Sequence, residues 1–179
     1  MFDTKKIQEL LAKLPEISPT SADLDGFGRD IVIPVPDELL AWLQLASGPC
    51  VPSRLFGLPM RRDIASAFDY PSWKQKKWVP VGTDGCGNYY LLATQQEFGK
   101  GFPIIFVDTM ESSGAPSYLV ASDIGHFLVF FLEDEINRPV IPEEAWPFGE
   151  DYVIKRDPGI LGFSKELLPW EVDKKSRGA

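Results

Sequence analysis

A cysteine in a turn, the chain's single histidine and a scatter of carboxylates are the residues whose types could do chemistry. Cys86 and His126 have the types of a nucleophile and its base. Cys86 lies between Gly85 and Gly87, in a turn that can leave a thiol exposed. His126 is expected in the first turn of a helix, where the dipole disfavours the imidazolium. Nothing in the sequence brings the pair together, and a turn cysteine beside an ordinary helix histidine is the plainer account. Asp84, Asn88, Asp108 and Glu111 can gather at one end of a sheet as oxygen ligands for a hard cation. Their spacing fits no calcium-loop pattern, and aspartate and asparagine are also simply good turn formers. Glu133, Asp134 and Glu135 form an acidic run at a helix end, a solvated face by default and otherwise a contact for a partner.

No further chemistry is signalled. The glycines around Gly85 and Gly87 come without the lysine of a P-loop or the G-x-G-x-x-G spacing, and H-E-x-x-H and G-x-S-x-G are missing. Cys50 and Cys86 form no C-x-x-C pair, too few for a disulfide scaffold and without zinc spacing. No cofactor and no metal are expected. Five tryptophans raise the idea of carbohydrate stacking, yet Trp42 lies on an apolar helix face and Trp78 opens a strand, so core packing accounts better for those two.

The 179 residues suffice for one domain burying roughly 70% of its unfolded surface. Apolar residues are 44% and charged residues 25%, ordinary for a soluble globular protein. A net charge of −8 repels phosphate backbones and disfavours nucleic acid, while suiting a basic protein partner as well as plain solubility. The start, MFDTKKIQELL, carries charges where a signal peptide has its apolar core. The apolar run at Phe127–Leu132 falls far short of the ~20 residues that span a bilayer. The expectation is a cytoplasmic protein with reduced thiols.

The elements that must position these residues can be read in order. Residues 3–14 predict a helix with Ile7, Leu10, Leu11 and Leu14 on one face, capped by Asp3 or Thr4 and stopped by Pro15. A loop follows, and residues 31–35, containing Pro34, are at most an edge strand. Residues 36–47 form a second helix, with Pro36 in its first turn, Asp37 and Glu38 at the positive end of the dipole, and Gly48-Pro49 as its stop. A short strand at 55–58 and a helix at 61–69 follow, then an exposed basic connection at Trp73–Lys77. The stretch 78–92, WVPVGTDGCGNYYLL, is the organising hairpin, with Asp84-Gly85 as its turn. Strands at 102–107 and 117–121 lead to a helix at 122–136, capped by Ser122 and apolar almost all round. Five prolines interleaved with aromatics after Asn137 predict an irregular segment, 137–179, docked on a domain formed by 1–136, with 173–179 frayed. The fold class expected is α+β, a twisted and mainly antiparallel sheet covered by helices.

Three pieces together resemble the SUKH superfamily, the group that includes the fungal cell-wall glucan-synthesis regulator and many bacterial toxin-immunity proteins. They are the proline-led helix Pro36–Leu43 running to Ser47-Gly48, the hairpin Trp78–Asn88, and the strand and aromatic helix Val120–Leu128. Their order and spacing are similar to the family across roughly residues 5–135. The resemblance implies a non-enzymatic binding protein, in bacterial members one that neutralises a toxin, often a nuclease. Its recurrent residues look structural, so no catalytic residue is carried over. The expected partner is a protein, a basic toxin among the candidates, with no direct nucleic acid or membrane contact, and the chain itself a monomer or weak dimer. Asp84, Asn88, Asp108, Glu111, Glu133, Asp134 and Glu135 are the candidate partner-binding residues. The alternatives are a regulatory scaffold of cell-wall synthesis or signalling, and a small enzyme using Cys86 or the Asp84 and Asp108 carboxylates.

Overall fold

Four short apolar runs, buried along nearly their whole length, pair side by side in three antiparallel ladders. The computed structural model describes residues 3–14, 36–45, 71–84, 86–110, 114–137 and 149–177. Strands β1 (Trp78–Thr83), β2 (Tyr89–Ala93), β3 (Ile104–Val107) and β4 (Tyr118–Ala121) form one antiparallel sheet in the order β1-β2-β3-β4. With helices packed on it, the molecule is α+β. Pro80 lies in edge strand β1, where the register slips between Pro80 and Gly82; an edge and a bulge are where a strand tolerates a residue with no N–H.

The turn of the first hairpin is longer than the Asp-Gly pair suggests. Thr83 pairs with Tyr89, so five residues connect the strands, and Gly87 is the glycine found at positive φ, +100°. The Asp84 carboxylate closes this loop, accepting the Cys86 N–H at 2.7 Å and the Asn88 N–H at 3.1 Å. Gly85 lies outside the described residues.

Helix α1 (Thr4–Leu11) is capped by Asp3, which accepts the Lys6 N–H at 3.0 Å, and buries Ile7, Leu10 and Leu11. Helix α2 (Asp37–Leu45) buries Leu39, Trp42 and Leu43. Pro36 stands just before it, its carbonyl accepting from the Leu39 and Leu40 amides, rather than within its first turn. The basic connection expected at 73–77 is instead a short helix, α3 (Pro71–Lys76), that buries Trp73 against Tyr89, ring centroids 5.0 Å apart. Burying an indole repays the ordering of one helical turn, and Lys77, at φ 54°, turns the chain into β1.

Helix α4 (Ile124–Asn137) lies across the sheet, with Phe127 and Phe131 against Tyr90 at centroid distances of 5.2 and 5.8 Å. Its other side meets α1 and the C-terminal segment, so it buries Leu128, Phe130 and Leu132 as well. The cap is Asp123, whose Oδ1 accepts the His126 N–H at 2.9 Å, not Ser122.

Residues 149–177 of the C-terminal segment are short regular pieces rather than irregular chain: α5 (Glu150–Arg156), 3₁₀ turns at Pro158–Gly162 and Lys165–Leu167, and α6 (Pro169–Arg177); residues 138–148 lie outside the described residues. The end expected to fray is helical to Arg177. Two stitches hold the segment to the sheet. Ser122 bonds to Asp157, and the Ser164 N–H donates to the Phe98 carbonyl at 2.9 Å beside a bridge between Gly99 and Phe163. The expected edge strand at 31–35, the Gly48-Pro49 stop, and the elements at 55–58 and 61–69 lie outside the described residues.

Candidate functional site

The antiparallel register sends the candidate residues to opposite ends of the sheet. Tyr89, Val107 and Thr83 mark one end; Ala93, Ile104 and Ala121 mark the other, where α4 begins. Cys86 therefore sits at one end and His126 at the other. Among the described residues no hydrogen bond or ion pair joins them.

At the first end, Asp84, Asn88 and Asp108 do come together, in two loops tied to each other. Asn88 donates its side-chain N–H to Asp84 Oδ2 at 2.8 Å and accepts the Thr109 N–H at 3.0 Å. Thr109 Oγ1 donates to the Gly87 carbonyl at 3.1 Å. Asp108 Oδ1 accepts the Met110 N–H at 2.8 Å, and its own N–H donates to Ser117 Oγ at 3.1 Å. The carboxylates thus satisfy backbone donors, which is what a rigid turn asks of them. Met110 projects beyond them with 88% of its surface exposed. Glu111 lies outside the described residues. Among the described residues, no group of three or more His, Cys, Asp and Glu is arranged to hold a metal ion.

Within the acidic run on α4, Glu133 is tied to neighbouring helices. Glu133 is 17% exposed at its side chain and faces inward to a three-way tie. It accepts from the Tyr152 hydroxyl at 2.5 Å and from Arg156 Nη1 at 2.9 Å, with Lys6 Nζ 3.5 Å away. Arg156 also stacks over the Tyr152 ring at 3.8 Å. Asp134 and Glu135 are half-buried on the same turn.

The second end holds a cluster that the sequence reading missed. Asp157 is completely buried; it accepts the Ser122 N–H at 2.7 Å and the Ser122 hydroxyl at 2.5 Å. His126 Nδ1 lies 2.9 Å from Asp123 Oδ2 and 3.8 Å from Asp157 Oδ1. The hydrogen bond to Asp123 and the charges of Asp123 and Asp157 raise the imidazole's pKa against the effect of burial, overriding the helix dipole that the sequence reading had favoured. Burial pushes Asp123 up, but its bonds with the His126 side chain and backbone hold it below the ordinary carboxylate value. Glu38 on α2 is raised by burial and by Asp123. Ser, His and Asp are therefore all present, yet the serine donates its proton to the buried Asp157 carboxylate, and the imidazole Nδ1 faces that same carboxylate and Asp123. Among the described residues no hydrogen bond joins His126 to Ser122, the serine–histidine pairing that a hydrolytic triad uses. Asp157 left no signal in the sequence, being one acid among prolines, 35 residues from the serine it binds.

No helix among the described residues is long and apolar enough to cross a membrane. No curated protein and no solved structure matches the chain. The model of the SMI1 / KNR4 family (SUKH-1) matches residues 18–129, more than half of the chain, taking in α2, the whole sheet, Ser122 and His126. The match ends before Glu133 and Asp157. The four-stranded antiparallel sheet with its helices agrees with the expected fold, and the chain belongs to the SMI1 / KNR4 family (SUKH-1).

Proposed function

We propose that the protein is a non-enzymatic, protein-binding module of the immunity type, which neutralises a toxic protein by occupying its surface in the cytoplasm. The observation that carries this reading is family membership across residues 18–129. The geometry supports it: the polar groups best placed for chemistry, Asp84, Asp157 and Ser122, are committed to bonds within the chain. Preorganised loops suit binding, because ordering already paid in the free protein is not lost on association. We place the partner surface at the tied loop end, with Asp84, Asn88 and Asp108 as an acidic rim around Met110. A net charge of −8 would steer a basic partner, a nuclease among them, to this protein. The chain would work as a monomer or weak dimer.

Affinity capture of the tagged protein at low and high salt tests the proposal. A single stoichiometric basic partner, retained at low salt and lost at high salt, is the expected result. Several partners from envelope-building or signalling machinery would favour a regulatory scaffold, a reading that the SMI1 / KNR4 name of the matching family keeps in view. No partner at either salt would overturn both.

A further inference from the structure

A buried carboxylate is costly unless each of its oxygens is answered, and Asp157 is answered entirely from outside its own segment. Ser122, at the junction of β4 and α4, supplies two hydrogen bonds. His126 stands 3.8 Å away on the first turn of α4. The space is closely fitted: a Cβ on Gly159 would lie 3.1 Å from Ser122 Oγ and 3.3 Å from Asp157 Oδ1. Asp157 sits where α5 passes into the first 3₁₀ turn, its N–H donating to Val153 and its carbonyl accepting from Ile160. Whatever holds this carboxylate therefore holds the junction of α5 and the 3₁₀ turn to the start of α4, beside the ties at Glu133 and Phe98.

We propose that Asp157 latches residues 150–177 onto the sheet, and that His126 makes the latch pH-sensitive by placing a titrating charge between Asp157 and Asp123. As imidazolium, His126 faces both carboxylates with a positive charge. On losing its proton it can keep the bond to Asp123 through a neutral Nδ1–H. The charge opposite Asp157 is gone, and the buried carboxylate is left with Ser122 alone. The direction follows from linkage, since the closed latch favours the protonated ring and so weakens as pH rises through the imidazole titration. The raised pKa of His126 agrees with this. Among the described residues, the other charged groups around the ring are Glu38 on α2, and Asp3, Lys6, Glu133 and Arg156, which line with His126 a groove of about 370 Å³ between α1, α4 and α5. Of these, Glu38 adds negative charge beside Asp123 as pH rises, in the same direction as loss of the imidazolium.

Amide hydrogen exchange on the full chain, corrected for intrinsic rates from pH 5.5 to 8.5, reads the latch directly. The Ser122 and Ser164 amides donate across the junction, to Asp157 and Phe98, while Tyr90 and Phe106 in the sheet serve as internal controls. Protection at Ser122 and Ser164 should fall severalfold across the imidazole titration, with the controls unchanged. His126→Gln should remove that step. As the chain has one histidine, its imidazole resonance can be followed without assignment, and Asp157→Asn should lower its titration midpoint. Flat protection in the wild-type protein, which needs no variant to fold, would overturn the proposal. A step that survives His126→Gln, or an imidazole midpoint unmoved by Asp157→Asn, would do so as well.

Discussion

At the scale of single residues, Asp84 and Asp108 hold their turns together through backbone donors. Asp84 accepts three donors from Cys86 and Asn88. Asp84→Ala should cost about 0.5–1.5 kcal/mol in urea unfolding, the net worth of bonds to donors that water can partly reach, whereas Cys86→Ser, at an exposed position, should leave stability within about 0.5 kcal/mol of wild type. The histidine cluster gives the stability a pH dependence whose sign can be worked out. The raised imidazole contributes stability that is complete below its unfolded value, about 6.5, and lost as pH climbs through the folded value. The lowered Asp123 contributes above its unfolded value, about 3.9, and loses that contribution as pH falls through the folded value. The two together favour the interval between. The unfolding midpoint of the wild-type protein should fall relative to that of His126→Gln as pH is raised from 6 to 8. Parallel profiles would show that His126 contributes nothing differential.

Elements whose cause is local were legible in the sequence, and elements whose cause is tertiary were not. Ile7, Leu10 and Leu11 on one face gave α1, and the aromatic stripe of α4 gave a helix buried on several sides. The hairpin strands followed from apolar runs around a turn, although five residues rather than two connect them. Trp73 looked exposed because lysines surround it, and its burial depends on Tyr89 across a strand. The C-terminal helices are short enough that prolines hid them, and what fixes them is contact at Ser122 and Gly99. Gly99, at φ +140°, passes so close to the segment that a Cβ would meet the Gly162 carbonyl at 2.7 Å. Gly99→Ala should therefore destabilise by about 1–3 kcal/mol, and Gly162→Ala, with open space around it, by no more than about 0.5 kcal/mol. In the core, Phe127 is fully buried against Tyr90, and Phe127→Ala should cost about 3–5 kcal/mol. Equal melting temperatures for the two glycine variants would contradict the stitch at Gly99.

For the whole molecule, the sequence carried the fold class and the family, because three short motifs in the right order encode a sheet, its hairpin and its covering helix. It could not carry the site, since Glu133 is drawn into a tie with Lys6 and Arg156 that only the packing of three helices creates. What remains on the surface is an acidic molecule with a rigid two-loop end. The central claim, that this protein neutralises a toxic partner by binding it, is tested most directly by co-expression. The captured basic partner is produced in a host with and without this chain, and growth is measured. Arrest by the partner alone and restored growth with both is the result the binding account predicts. Growth unaffected by the partner, or arrest that persists although the two proteins co-purify, would contradict it.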